Sequence, residues 1–407
     1  MRLCQIIPPN FAGLTSTIIT RQTVGAEDEA THRAIKLHLS GLVSEAEVSY
    51  RELIKEGGAA PRVYSNLAAI EFTNNKVYEA RDLLLTSHNL RSRPCYGSYM
   101  ISLLSLRLSD YKTAWKYYEY RWLNSFIPKI NQCLPIVDED SDWNRNDVVL
   151  YEDGGLGDHV FCLQLIRGRG IYLEGNFTGS KNVCDLVSII SPTLRVTDQV
   201  SRWGHKREFR AWLPFQSLIR LLEDIEISFD VGRLDVLKYS NKSFRGKPKV
   251  GLHWQGNSLN ELYLVPASRS FNASIFTSLI ESELYSIRTL QVGAAANQIN
   301  QFKESHIEMQ AHRCHKRFSI GDLIASIKQL DLVVCGDSLV ANLAGYLGKP
   351  TLLILSAYHD WRWVKRRDYN YSFWYPTVKI FDCVSLEDSI EIRERLARIV
   401  AEMLDAV

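Results

Sequence analysis

The sequence predicts an all-α repeat segment followed by an α/β region of two parallel-sheet halves. Three observations carry this prediction. Alanines 46, 80 and 114 recur every 34 residues within a helical apolar pattern. From residue 147 the pattern changes to short apolar strands alternating with helical stretches. Two strand-to-helix turns, "YEDGGLGDHVF" at 151–161 and "VCGDSLVANL" at 334–343, combine glycine with acid where a helix begins.

The repeat segment spans 28–125. "SEAEVSYREL", "YEARDLLL" and "KTAWKYYEY" each hold one of the alanines, and four residues later comes Tyr50, Leu84 or Tyr118. Leu67 and Ile101 share the same spacing. A 34-residue helical period is that of tetratricopeptide (TPR) repeats, in which the small residue lets paired helices touch and the large one fills the next groove. Pro61 and Pro94 fall where a repeat ends, although "KEGGAAP" is longer than the usual turn and the consensus tryptophan is missing. Residues 124–146, with two prolines and the acidic "DEDSD", read as a linker; its D-x-D pattern lies between domains rather than after a strand.

The α/β halves are expected over 147–240 and 248–407, joined at "NKSFRGKP" (241–248). Candidate strands are "DVVLYED", "GIYLEGN" at 170–176, "KVGLHWQG" at 249–256, "SIRTLQVG" at 286–293, "DLVVCGD" at 331–337 and "TLLILS" at 351–356. The C-terminal stretch "SLEDSIEIRERLARIVAEML" reads as a helix packing back across the halves. Open parallel sheets bind ligands outside the carboxyl ends of their strands. That rule selects three loops: Gly154–Asp158, Trp254–Asn257 and Gly336–Asn342.

Composition excludes several classes. A chain of 407 residues with 46% hydrophobic and 23% charged residues is globular, and a net charge of +2 argues against a dedicated nucleic-acid binder. The basic runs at 205–207, 312–317 and 365–367 read as solvated surface, the third also as a contact for a small phosphorylated ligand. Cys4, Cys95, Cys133, Cys162, Cys184, Cys314, Cys335 and Cys383 show no C-x-x-C spacing and fit reduced thiols in a cytosol. His312, Cys314 and His315 lack a second ligand pair nearby in sequence, so an exposed loop is preferred to a metal site. Pro8 and Pro9 interrupt any signal-peptide core, and no apolar run approaches the ~20 residues of a membrane span. These features point to the cytoplasm.

"GDSLVANLAGYLGKP", then "DWRW" at 360–363 and "WYPTVKIF" at 374–381, together with "GLGD" at 155–158 and "VGLHWQGN" to "SRS" at 250–270, resemble in order the motifs of bacterial TPR-containing glycosyltransferases with a heptosyltransferase-like GT-B domain. The resemblance covers the chain beyond its first thirty residues. It implies a GT-B fold of two Rossmann-like halves. It further implies transfer of a sugar from a nucleotide-sugar to a protein or glycan acceptor, with inversion, and with neither a metal nor a cofactor besides the co-substrate. The acceptor would be recruited by the helical segment. The alternative is a non-catalytic binding scaffold that keeps the fold.

By the same resemblance Asp158 is the general base, with Gly155 and Gly157 giving the substrates room. A carboxylate in a narrow cleft can take the proton of an attacking hydroxyl. His159 is the rival base; its ordinary alternative is a helix-surface histidine. Asp158 could also be a plain N-cap. Arg269 and Ser270 match the family's Arg-Ser pair, for a leaving diphosphate that the helix starting at Ser338 would also meet with its amides. Asp337 reads as an acceptor for sugar hydroxyls or as a helix cap. Trp254, Gly256 and Asn257 occupy the substrate-binding loop after the first strand of the second half, where Gly256 suits close phosphate approach and Trp254 either the site or the core; Gln291 suits the nucleotide base. Trp361, Arg362 and Trp363 could shape the donor cleft or be structural. Two departures stand out: Asn342 replaces the family's His, and Asp153-Gly154 replaces Glu-Gln.

Overall fold

The 34-residue spacing appears directly in the helix boundaries. In the computed structural model, the residues described are 29–93, 96–123, 147–168, 173–197, 209–222, 246–256, 269–302, 307–308, 319–356, 359–365, 370–383 and 388–405. Asn257, Pro94, the linker with its D-x-D, most of the 241–248 joint and the His312–His315 cluster lie outside them. The helices are α1 Glu29–Leu39, α2 Val43–Glu56, α3 Pro61–Thr73, α4 Val77–Asn89, α5 Tyr96–Arg107 and α6 Tyr111–Tyr118. Helices α2, α4 and α6 thus begin 34 residues apart. Pro61 is the first residue of α3, where its missing N–H has no helical partner to lose.

The turns repeat as closely as the helices. Gly41, Asn75 and Ser109 all have left-handed backbone, with φ of 83°, 60° and 60°. In each turn the next amide reaches back five residues, from Leu42 to Leu37, Lys76 to Glu71 and Asp110 to Ser105, at 2.9–3.1 Å. This is the Schellman arrangement, which caps the last carbonyls of a helix. Ala46, Ala80 and Ala114 are buried, as are Tyr50, Leu84, Tyr118, Leu67 and Ile101. Consecutive helices pack on one another along the segment.

Inside this helical unit His38 is buried, with the Tyr50 hydroxyl 3.4 Å from its Nδ1. Asn66 Nδ2 donates to that hydroxyl at 3.2 Å. Burial lowers the His38 pKa to about 4, below its ordinary 6.5. The unfolded chain therefore binds a proton first as pH falls. The contribution from neutral His38 is complete above pH ~6.5 and is lost on the way down to about 4. The expected result is a fall in stability over that window, on the order of 3 kcal/mol from this group. His38→Gln should flatten the pH dependence of the thermal midpoint, and an unchanged slope would remove His38 as the cause.

The α/β unit holds two all-parallel sheets. The first contains β1 Val148–Tyr151, β2 Gly175–Thr178, β3 Leu194–Thr197 and β4 Ala211–Pro214, in the order β3-β2-β1-β4. Helices α7 (Leu156–Gly168) and α8 (Lys181–Ile190) follow β1 and β2. The second contains β5 Lys249–His253, β6 Ser286–Thr289, β7 Ile307–Glu308, β8 Leu332–Gly336, β9 Thr351–Ser356 and β10 Val378–Cys383, in the order β10-β9-β8-β5-β6-β7. Its helices are α9 (Thr277–Glu281), α10 (Ile320–Lys328), α11 (Leu339–Tyr346) and α12 (Ile390–Asp405). The chain runs from β5 outward to β7, then returns to β8 on the other side of β5 and proceeds to β10. This is the doubly wound order, whose ligand crevice opens where the direction reverses. That point lies between β5 and β8 in the second sheet and between β1 and β4 in the first.

Two sequence expectations shift. The second strand begins at Gly175, not at residue 170, because Leu173 and Glu174 lie before the ladder that pairs Gly175 with Leu194. Helix α12 buries Leu396, Val400, Met403 and Leu404 in one core with Val250, Leu252, Ile354 and Phe381. Its apolar face thus completes the second half, where the sequence expects it to cross both.

The two halves belong to a single compact unit. Helix α7 packs against α11. Phe161 meets Trp361, Trp374 and Tyr375 at ring distances of 5.3, 5.6 and 6.4 Å. Gln164 Nε2 donates to the Trp374 carbonyl at 3.0 Å, and the Tyr346 hydroxyl to the Ile190 carbonyl at 3.1 Å. Gly345 makes room for this packing, since a Cβ there would lie 2.6 Å from the Tyr375 ring.

Candidate functional site

The glycine turn after β1 has a structural cause at each position. Gly154 has φ of +88°, and a Cβ on it would lie 2.2 Å from Gln216 Nε2. That Gln216 nitrogen donates to the Asp153 carbonyl at 2.8 Å and ties the turn to the end of β4. Helix α7 starts at Leu156, so Asp158 stands in its first turn and is not the plain N-cap of its alternative reading. Its Oδ2 accepts from the Gly155 N–H at 2.6 Å, a carboxylate reaching back to an open amide. At Gly157 a Cβ would lie 3.3 Å from Asn342 Nδ2. The glycine therefore lets α7 approach the first turn of α11.

His159 is not a surface histidine. It is fully buried, stacked on Phe215 at 5.1 Å and edge-on to Phe177 at 5.9 Å. Its Nδ1 is 2.9 Å from the Gly155 carbonyl and its Nε2 accepts from the Asp153 N–H at 3.3 Å. That pairing assigns the proton to Nδ1. Burial lowers its pKa, so it stays neutral with both nitrogens engaged. As a rival base it has neither a free lone pair nor access.

At the switch point of the second sheet, Gly336 ends β8 and packs under the 269–271 segment, a Cβ there falling 2.9 Å from Phe271 and 3.0 Å from the Arg269 carbonyl. Asp337 is buried, with Arg269 Nη1 3.7 Å from its Oδ2. Burial and the nearby Asp360 carboxylate raise its pKa; Arg269, a hydrogen bond with Trp363 and Arg362 pull it back down. Ser338 precedes α11, but its hydroxyl donates to the Gly336 carbonyl at 3.1 Å and makes no cap. Four other helices of this unit have a side-chain acceptor at their start: Asp158 for α7, Glu152 for α8, Ser319 for α10 and Ser389 for α12; α9 has none and continues from a 3-10 turn that Asn272 caps. The start of α11 has none. Its amides and dipole end are open to an anion at the switch point.

Asn342, one turn into α11, is engaged within the protein. Its Nδ2 donates to the Ser338 carbonyl and its Oδ1 accepts from the Tyr375 hydroxyl, both at 3.0 Å. Gln291 is likewise committed. Its Oε1 accepts from the Trp254 and Gln255 amides at 3.0 and 2.9 Å, and its Nε2 donates to the Gln255 carbonyl at 2.9 Å. It holds the loop after β5 in shape. Trp254 is buried in the core against Phe276. Ser270 Oγ accepts from the Gly256 N–H at 3.2 Å and fixes the next residue of that loop.

Sequence reasoning missed how far Arg362 takes part. Its Nη2 donates to Asp158 Oδ1, across the two halves. Its Nη1 lies 3.0 Å from Asp360 Oδ2, and its guanidinium lies over the Phe161 and Trp361 rings at 5.6 and 5.4 Å. Asp360 also accepts from the Arg362 amide at 3.0 Å, fixing the turn. The carboxyl-end rule would have selected this loop after β9 as well. Asp158, from the first turn of α7, thus joins Arg362, Asp360, Asp337 and Arg269, from loops of the second half, in one charged group. No cluster of three or more metal-ligating side chains occurs among the described residues, and no described helix is long and apolar enough to cross a membrane.

The fold and site define a protein of two doubly wound parallel sheets with a group of charged side chains at the loops after their strands. No protein-family model matches the chain, and no curated protein matches it. Among solved structures it is similar to the ADP-heptose LPS heptosyltransferase II of E. coli, at 11% identity and a TM-score of 0.44, over 63% of this chain and 98% of that one. It is similar to a glycosyl transferase family 9 protein from Veillonella parvula at 10% and 0.39, over 65% and 98%. An O-GlcNAc transferase from Thermobaculum terrenum is similar at 13% and 0.30, over 93% of this chain and 86% of that one. At these identities and TM-scores the likeness by itself assigns nothing to this chain.

Proposed function

We propose that the α/β unit is a GT-B glycosyltransferase that moves a sugar from a nucleotide-sugar to a protein or glycan acceptor, with inversion and without a metal. The observation that carries this is the start of α11, uncapped at the switch point of a doubly wound sheet and packed against Gly157, the residue before Asp158 in the other half. The diphosphate would lie on the α11 amides, with Arg269 as a cation. Asp158 would take the proton of the acceptor hydroxyl as its oxygen attacks the anomeric carbon. The bond from that carbon to the diphosphate would break, and the nucleoside diphosphate would leave with its charge met by amides and guanidinium. Asp337 would accept from the sugar. The 34-residue helix pairs are TPR-like, and a concave stack of them suits recruitment of the acceptor. Buried thiols at Cys162, Cys184, Cys335 and Cys383 fit a reducing cytoplasm.

A second reading, a binding scaffold without catalysis, has its own support. Both Asp158 oxygens are engaged, by Gly155 and Arg362, and Asn342 cannot gain the charge that a histidine would.

Calorimetric titration of the whole chain with nucleoside diphosphates and nucleotide-sugars, followed by assay of diphosphate release, tests both. Binding with release supports the enzyme. Binding without release supports the scaffold, and no binding across the panel rejects the donor site. Removing residues 1–125 should spare nucleotide binding and abolish modification of the natural acceptor; full modification by the shortened chain would reject recruitment.

A further inference from the structure

Arg362 holds a position that neither fold nor capping requires. It comes from the loop after β9 in the second half, yet its Nη2 bonds Asp158 in the first half while its Nη1 pairs with Asp360. Gly157, the residue before Asp158, packs on the first turn of α11, with a Cβ there 4.0 Å from the Leu339 Cα. Arg362 is also close enough to Asp337 to lower its pKa. The guanidinium carries two carboxylates, Asp158 and Asp360, and Asp158 follows the glycine that packs on the first turn of α11. The group as a whole has three carboxylates and two guanidinium side chains, Asp158, Asp337 and Asp360 against Arg269 and Arg362. Such a balance repels an incoming anion unless a cation is redirected to it.

We propose that Arg362 is a ligand-binding residue that changes partner: an anionic diphosphate at the start of α11 draws the guanidinium from Asp158, and the carboxylate is released only when that ligand is bound. This rests on the reading of α11 as an anion site. The aromatic support favours such an exchange. Phe161 and Trp361 flank the guanidinium and can keep it in the cleft while its hydrogen bonds change hands. A planar fork with five donors can serve a carboxylate and a phosphate in turn. Coupling of base release to donor binding would then follow from charge alone, because Asp158 and the diphosphate compete for one cation.

The test is a double-substitution cycle read as affinity for inorganic pyrophosphate, ADP and UDP by calorimetry on the full chain. Arg362→Gln should weaken binding by roughly ten- to a hundredfold. Arg362→Lys should recover part of it as a point charge. Asp158→Asn should tighten binding several-fold, because the guanidinium is no longer held. In the Arg362→Gln background, Asp158→Asn should have no further effect. That non-additivity separates exchange from simple repulsion by Asp158, which would tighten binding in either background. If wild type binds and the two effects add, the exchange is wrong and the anion site stands. If neither wild type nor Asp158→Asn binds any of the three probes, the exchange and the anion site fall together.

Discussion

Replacing Asp158 by Asn is expected to lower sugar transfer by roughly two to four powers of ten without weakening nucleotide binding. Asparagine keeps an oxygen for the Gly155 N–H, so the start of α7 is preserved. It cannot accept the acceptor's proton. His159 cannot take over, since it is buried with one nitrogen bonded to a carbonyl and the other to an amide. Steady-state kinetics with a nucleotide-sugar found by the binding panel gives the measurement. Turnover within a factor of a few of wild type would exclude Asp158 as the base. Loss of nucleotide binding along with turnover would show that the substitution disturbs the cleft itself.

Phe161→Ala is expected to be the most destabilising single change described here, at about 3–5 kcal/mol. The ring is buried between the halves and meets Trp361, Trp374 and Tyr375. Its removal leaves a cavity bounded by large, stiff rings from several segments, which collapse poorly. The ring also supports the Arg362 guanidinium. The variant should therefore lose nucleotide affinity at temperatures where it is still folded. Denaturant titration gives the stability, and calorimetry below the unfolding range gives the affinity. A cost under ~1 kcal/mol would mean that the rings close over the gap.

The sequence made the architecture legible because periodicity is a local property of the chain. The 34-residue spacing came from side chains alone, and the helix starts at Val43, Val77 and Tyr111 share it. The turn residues Gly41, Asn75 and Ser109 carry the same period, but glycine, asparagine and serine do not look alike until their φ angles are known. The strands β1, β5, β6, β8 and β9 were readable as apolar runs. Strands β3, β4 and β7 were not read, and the two residues of β7 are too few to show any pattern.

The site was legible in position and not in partnership. The carboxyl-end rule led to Asp158 and Asp337, since strand order and loop identity follow from chain order. That Gln291 is consumed by the loop after β5 depends on contacts with Trp254 and Gln255, 36 or 37 residues away. The bond from Arg362 to Asp158 spans 204 residues. No local pattern encodes such a pair; it exists only once two sheets are folded and brought edge to edge.

The matching turns at Gly41, Asn75 and Ser109 bear on how the helical segment can change in length. Each is the same junction, closed by the same backward amide bond, so excising or duplicating one whole period re-creates a junction already present. A change of any other length moves the left-handed position onto a residue that resists it and shifts the buried alanine off its contact. Length variation in this part of the molecule is therefore quantised, in steps of one helix pair.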